Sequence, residues 1–219
     1  LVSNLQNDGG CYFTRDNNAR IFTDGLDMFA SMKEDIRNAK KHIHLLYYIF
    51  RNDALGLDIV RLLTQKAKEG VQVRVMYDSL GSMLSIGSMF RPLVEAGGEV
   101  QAFSPLFFSL SSHLRLNYRN HRKITVIDGE IGYVGGMNIG VEYLGRHKKL
   151  KPWRDTHLRL TGASVFFLQE RFVMDWISVQ EKETPAESLL QLFSPSLGEG
   201  SLGIQIASSG PDTESASIK

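Results

Sequence analysis

The 219-residue chain is 42% apolar and 22% charged, ordinary values for one or two globular domains that exclude a disordered tail, a collagen and a small disulfide scaffold. Its 25 Lys and Arg balance 24 Asp and Glu to a net charge of +1, so total charge gives no argument for nucleic acid or membrane. The single cysteine, Cys11, excludes an internal disulfide and a Cys-rich zinc site. No apolar run approaches the roughly 18 residues of a membrane span; the longest, Ile43 to Phe50, is interrupted by His44. The first residue is Leu1 rather than Met, and no signal or transit peptide opens the chain. It reads as a processed or excised piece whose flanking segments are missing.

In chain order, Asp24 can cap a helix to about Lys40, with Leu26, Phe29, Met32, Ile36 and Ala39 three or four apart. His42 to Phe50 reads as a buried strand. Asp53 can cap a second helix, with Leu55, Ile59, Leu62, Leu63 and Ala67 inward and Gly70 ending it. Val71, Val73 and Val75 alternate with Gln72 and Arg74, a strand with one polar face. Met83 to Ala96 suits a helix and Val100 to Phe103 a strand. Ile124 to Ile127 and Ile131 to Val134 form two strands around Asp128-Gly129, a hairpin turn signal. Thr156 to Leu160 is a strand and Gly162 to Val179 a helix. Alternating strands and helices of this kind predict an α/β layer fold. After Gln180 the chain turns rich in Ser, Gly, Pro and Glu. Apart from a possible strand at Gly203 to Ala207, residues 181-219 read as linker or as the truncated start of a second unit, leaving 1-180 as the domain.

Charge is locally uneven. From His113 to Arg154 there are nine Lys or Arg against three acids, Asp128, Glu130 and Glu142. A solvated loop surface is the bland reading. A basic face for a phosphorylated partner is the functional one, favoured because the stretch surrounds the strongest motif. That motif runs from Asn117 to Asp128 and continues to Gly135-Gly136-Met137-Asn138. In an extended segment, His121 and Lys123 share a face with Cα atoms roughly 6.5–7 Å apart. An imidazole beside an ammonium suits attack on phosphorus. The ring supplies a nucleophilic nitrogen, and the cation neutralises oxygen charge and favours the neutral ring. Gly136 permits close approach of backbone to a ligand, and the Asn138 amide can donate to a phosphate oxygen. Asp128 has the opposite parity, which assigns it to the hairpin turn. A nucleophilic His needs an acceptor for its other nitrogen, and Asp155 is the candidate.

His121-x-Lys123-x4-Asp128-x6-Gly135-Gly136 resembles the HKD signature of the phospholipase D superfamily. With Asn138-Ile139-Gly140, Glu142-Tyr143-Leu144-Gly145 and Trp153 to Arg159, the text from about Arg20 to Trp176 is similar to bacterial cardiolipin synthase. The resemblance implies one phospholipase D-like half-domain, a mixed β-sheet flanked by helices on both faces, whose active site lies between two such halves. It implies that one His forms a phosphohistidine while the other protonates the leaving alcohol, with no metal or cofactor. By motif matching, His121 is the nucleophile or its acid/base counterpart, Lys123, Asn138 and Gly136 bind phosphate, Asp155 orients His121, and Asp128 completes the signature. The implied reaction moves a phosphatidyl group between two phosphatidylglycerol molecules and releases glycerol. The implied partners are anionic phospholipid, a membrane surface, and a second HKD half in the same parent chain or a second copy. The implied place is the bacterial cytoplasmic membrane, with anchors absent from this chain.

Two departures stand out. Val141 replaces the Asp that similar sequences carry before Glu-Tyr, and only one HKD motif is present. His147-x-Lys149 has the wrong spacing to Asp155 and reads as chance. The fragment alone is therefore expected to be weak or inactive. Three further readings are weighed. His42 and His44 share a face but lack a third ligand nearby, which favours strand packing over metal. His113 and His157 have no evident partners. The Pro105 to Leu116 segment, with Phe107 and Phe108, suits either a membrane-facing loop or one folded over the core. Competing functions are a nuclease or other phosphodiesterase acting as a homodimer, and a non-catalytic interaction half; the flanking blocks argue against nucleic acid.

Overall fold

The computed structural model describes residues 11–79, 81–82, 88–103, 119–145, 154–180, 185–193 and 198–208. The Pro105 to Leu116 loop and the His147-x-Lys149 near-match lie outside the described residues.

Two carboxylates start the first two helices where the sequence places them. Asp24 accepts from the backbone N–H groups of Leu26 and Asp27, opening α1 (Gly25–Asn38). Asp53 accepts from Leu55 and Gly56, opening α2 (Ala54–Lys68). Each side chain satisfies donors that a helix start leaves free. Four strands alternate with helices in the first half: β1 (Phe13–Phe22), β2 (His42–Tyr47), β3 (Gln72–Asp78) and β4 (Glu99–Phe103). The helix expected over Met83 to Ala96 is present as α3 (Arg91–Glu95), five residues with Pro92 in its first turn and no side-chain cap. Residues 83–87 lie outside the described set. Then come β5 (Lys123–Ile127), β6 (Ile131–Gly135), β7 (His157–Thr161), α4 (Ser164–Val179), α5 (Ala186–Leu190) and β8 (Leu202–Gln205).

One eight-stranded sheet joins them in the order β4-β3-β2-β5-β6-β7-β1-β8. β2, β3 and β4 run parallel, and every other neighbouring pair is antiparallel. β2 sits where the parallel and antiparallel parts meet, and all six of its residues are buried. One face packs α1, α2 and α3 over a core that includes Met32, Ile36, Leu45, Tyr47, Ile59 and Leu63. The other packs α4 over Leu46, Ile124, Val126, Leu168, Phe172 and Trp176. The mixed sheet with helices on both faces is the fold expected.

Several details depart from the sequence reading. β1 was not foreseen; it pairs with β7 on one side and β8 on the other. The tail is not all linker: Leu189, Leu192, Phe193, Ile204 and Ile206 pack on the α4 core. Of the polar face expected on β3, Gln72 is exposed and Arg74 is covered. Arg74 is buried, ion-paired with Glu99 at 2.8 Å, with its guanidinium 5.5 Å from the Trp176 ring. His42 and His44 are buried, stacked on each other, and both bonded to Gln169 of α4, which is packing rather than a ligand pair. Among the described residues no helix is long and apolar enough to cross a membrane, and no three His, Cys, Asp or Glu are grouped to hold a metal.

Candidate active site

The site forms where β2 ends and β5 begins. The residues on either side of His121 are tied to one buried acid on α4. The Asn120 amide donates to Asp175 at 3.0 Å, and the Arg122 guanidinium lies 3.3 Å from the same carboxylate. Arg171, one helical turn before Asp175, pairs with it too. Asn120 also accepts from the Arg122 backbone N–H at 3.1 Å, and its own N–H reaches Asp78 at 3.4 Å. A charge at 3% exposure is tolerable only when paired and hydrogen-bonded. Here the partners fix the segment that carries His121.

His121 itself is exposed, and its ring stacks on Tyr48 with centroids 4.0 Å apart and planes 18° apart. The Lys123 ammonium lies 5.5 Å from the centre of the same Tyr48 ring. It donates to the His121 carbonyl at 2.6 Å. One aromatic side chain thus carries both an imidazole and a cation. Burial lowers the Lys123 pKa, and the Asp155 charge opposes that shift. Tyr48 is held in turn through its carbonyl, which accepts from the Ser82 hydroxyl at 3.2 Å.

Asn138 is buried beneath this cluster. Its carbonyl oxygen accepts from the Ile49 N–H at 3.0 Å, and its amide donates to the Tyr143 hydroxyl at 2.7 Å. A primary amide has two N–H donors, so one remains for a ligand. The first use of Asn138 is structural: it fixes the peptide that follows Tyr48. Val141, the departure in the loop, packs against the α1–α3 core, and its N–H donates to Asp53 at 2.7 Å.

The paired glycines have a steric reason. A Cβ on Gly136 would collide with the Asp155 carboxylate, and one on Gly135 would sit 2.8 Å from Cγ of His157. At Gly135 the backbone of Thr156 and His157 takes the space, and at Gly136 the Asp155 carboxylate just before β7 does. Asp155 accepts from the Thr156 N–H at 2.7 Å, and its charge acts on Lys123 and His157. No hydrogen bond joins Asp155 to the His121 ring among the described residues.

Asp128 is elsewhere. Its carboxylate accepts from the backbone N–H groups of Lys40, Lys41 and His42 at 2.8, 2.7 and 2.9 Å. It occupies the left-handed region with φ +57° in the β5–β6 turn, followed by Gly129 at +71°. These three bonds fit the turn role that its parity predicts. Its bonds tie the α1–β2 turn to the hairpin, at the far end of β5 from Lys123.

Three participants escaped the sequence reading: Tyr48, Asp175 and His157. Tyr48 was hidden in an apolar run. Asp175 does carry a signal, an acid amid the apolar residues of α4 with Arg171 four positions before it. Beside the cluster opens a cleft of about 290 Å³ lined by His121, Lys123, Gly135, Arg171, Ile206 and Ser208. An exposed imidazole, a half-buried ammonium and a spare amide N–H suit an anionic, tetrahedral ligand.

Comparison with known proteins gives the family. Residues 32–149 match the family model described as cardiolipin synthase, PLD-like domain. A cardiolipin synthase of Listeria monocytogenes serotype 4a is 47% identical over 98% of this chain and 44% of its own length. The major cardiolipin synthase ClsA of Bacillus subtilis is 49% identical over 100% of this chain and 45% of its own length. The chain therefore spans less than half the length of these curated relatives. Among solved structures, phosphatidylserine synthase of Haemophilus influenzae superposes with TM-score 0.59 at 16% identity, over 85% of this chain and 45% of that one. NucT of Helicobacter pylori superposes with TM-score 0.58 at 17% identity, over 74% and 98%. At such identities these two show a shared fold.

Proposed function

From the premise that this chain belongs to the phospholipase D-like cardiolipin synthase family, we propose that it supplies the His121-bearing half of a phosphatidyl-transfer site. The donor and acceptor are phosphatidylglycerol molecules presented at the bacterial cytoplasmic membrane. The other half comes from the rest of a longer parent chain or from a second copy.

A ring nitrogen of His121 attacks the donor phosphorus. The P–N bond forms, the P–O bond to glycerol breaks, and the departing oxygen takes a proton from an acid in the second half. A hydroxyl of the second phosphatidylglycerol then gives a proton to that same group as its oxygen attacks phosphorus. The P–N bond breaks and His121 is released. Lys123 neutralises the phosphate oxygens, the second N–H of Asn138 donates to one of them, and Gly136 lets Asp155 lie close to the bound phosphate. Asp155 steadies the charges around the ring. The observation that carries this reading is the contact of both His121 and Lys123 with the Tyr48 ring at the start of β5.

The test is the full gene product on phosphatidylglycerol vesicles, with and without His121→Ala. Cardiolipin formation lost with His121 supports the proposal; undiminished activity in the variant contradicts it and leaves a non-catalytic half. The alternative, a homodimeric phosphodiesterase acting on nucleic acid, draws on the single HKD motif of this chain. It predicts DNA cleavage by this chain, which a lipid-only activity would dispose of.

A further inference from the structure

His157 is fully buried, yet among the described residues neither of its ring nitrogens has a hydrogen-bond partner. Buried polar atoms are almost always partnered, and exceptions cluster where function needs them. Its position makes it informative. The register pairs Ile124 with Val134 and Gly135 with His157. Lys123 and His157 therefore stand on either side of Gly135, about 10 Å apart at the backbone, two strand spacings. Gly135 has no side chain to separate them, and the His157 Cγ lies where its Cβ would crowd. Asp155, two residues before His157, lies over the neighbouring Gly136.

The charges acting on the ring are Asp155 and Lys123. On the remaining side is Tyr133 of β6, its ring centroid 6.5 Å away, with its hydroxyl bonded to Asp35 of α1, which also holds Arg159. That group of three satisfies itself. Burial pushes the His157 ring down to about 4, with Asp155 opposing and Lys123 adding to the shift. The ring is neutral near pH 7, and a neutral imidazole has one acceptor and one donor. Among the described residues of this row, it alone can serve a cation and an anion together.

We infer that His157 is a positioning residue of the transfer site: its two ring nitrogens, unpartnered among the described residues, accept from the Lys123 ammonium and donate to the Asp155 carboxylate once a phosphodiester is bound between them. It fixes the spacing of cation and anion around the bound phosphodiester, and it acts through them without touching the lipid. This rests on the functional reading above. It also gives the paired glycines a purpose: Gly135 clears the path from His157 to Lys123, and Gly136 clears the seat of Asp155.

Two variants separate polarity from volume in the full gene product on phosphatidylglycerol vesicles. His157→Gln keeps an acceptor and a donor; His157→Leu keeps neither. The expected result for His157→Leu is a kcat loss of roughly 10–100-fold, the scale of hydrogen bonds to charged groups, with KM little changed. His157→Gln recovers most of that loss. Equal activities of the two variants overturn the proposal. A second readout needs no turnover and holds if His157→Leu fails to fold: ¹⁵N NMR of the imidazole at pH 7. With phosphatidylglycerol vesicles present, the wild-type ring is expected in one tautomer, and the double variant Lys123→Ala/Asp155→Ala is expected to lose the preference. A mixed tautomer in the wild type, or one unchanged in the double variant, refutes the assignment. Absence of cardiolipin formation by the wild type strikes the functional reading instead, and the NMR result still decides on His157.

Discussion

The two ends of β5 do different work with similar raw material. At its start, Lys123 and the preceding His121 lie against Tyr48, with His121 exposed and its ring free of protein hydrogen bonds among the described residues. At its end, Asp128 gives its carboxylate to three backbone amides. All three residues belong to one sequence signature, but only the first two are available to a ligand. A motif is a statement about residue types, and the hydrogen bonds each side chain already makes decide which of them remain free for chemistry.

The sharpest way to break this contrast is at His121. Replacing it with Ala is expected to lower cardiolipin formation roughly 10⁴–10⁶-fold, the range for removal of a nucleophile, while thermal unfolding is unchanged because the ring is exposed. A melting temperature that falls with activity would assign His121 to structure. Next comes Asp155→Asn, expected to cost about 10²–10⁴-fold by comparison with carboxylates that steady a catalytic His. Full activity in that variant would reduce Asp155 to a spacer over Gly136. Asp128→Ala should invert the pattern. Losing three charge-assisted bonds is expected to cost about 2 kcal/mol of stability, read by urea unfolding, with kcat per folded molecule unchanged. A kcat collapse in a fully folded Asp128→Ala protein would erase the distinction between the two ends.

The last contrast concerns pH. His42 adjoins the Asp128 end, His157 the Lys123 end, and His44 stacks on Phe172 in the α4 core. Burial lowers the pKa of all three, that of His157 to about 4. The unfolded chain, with histidines near 6.5, binds protons that the folded chain refuses. Stability therefore falls as pH drops below about 6.5, by at most about 1.4 kcal/mol per pH unit for each histidine. For His157 the loss levels off near its folded value. Urea midpoints at pH 7 and pH 5 check the sign, and a midpoint that rises on acidification would contradict it.

Most of the fold was legible because it is written locally. Asp24 and Asp53 precede helical apolar periods, and Asp128-Gly129 separates two strand-like runs. β1 was not legible: FTRDNNARIF is mostly polar and exposed, with positive φ at Asp16, and its partners are strands more than 130 residues later. Nothing near it in sequence announces a strand. The site divided in the same way. His121 and Lys123 were visible as a motif, and the turn role of Asp128 followed from parity. Tyr48, Asp175 and His157 reach the site only through pairing of β2 with β5, packing of α4, and pairing of β6 with β7. Spacing along the chain contains none of those contacts.

The account depends most on a covalent bond to one ring. The direct measurement is rapid acid- or base-quenched turnover of the full gene product on radiolabelled phosphatidylglycerol, followed by proteolysis and mapping of the trapped phosphatidyl group. Label on the His121 peptide, absent in His121→Ala, is the predicted result; label held by another residue, with His121 unmodified, would contradict it.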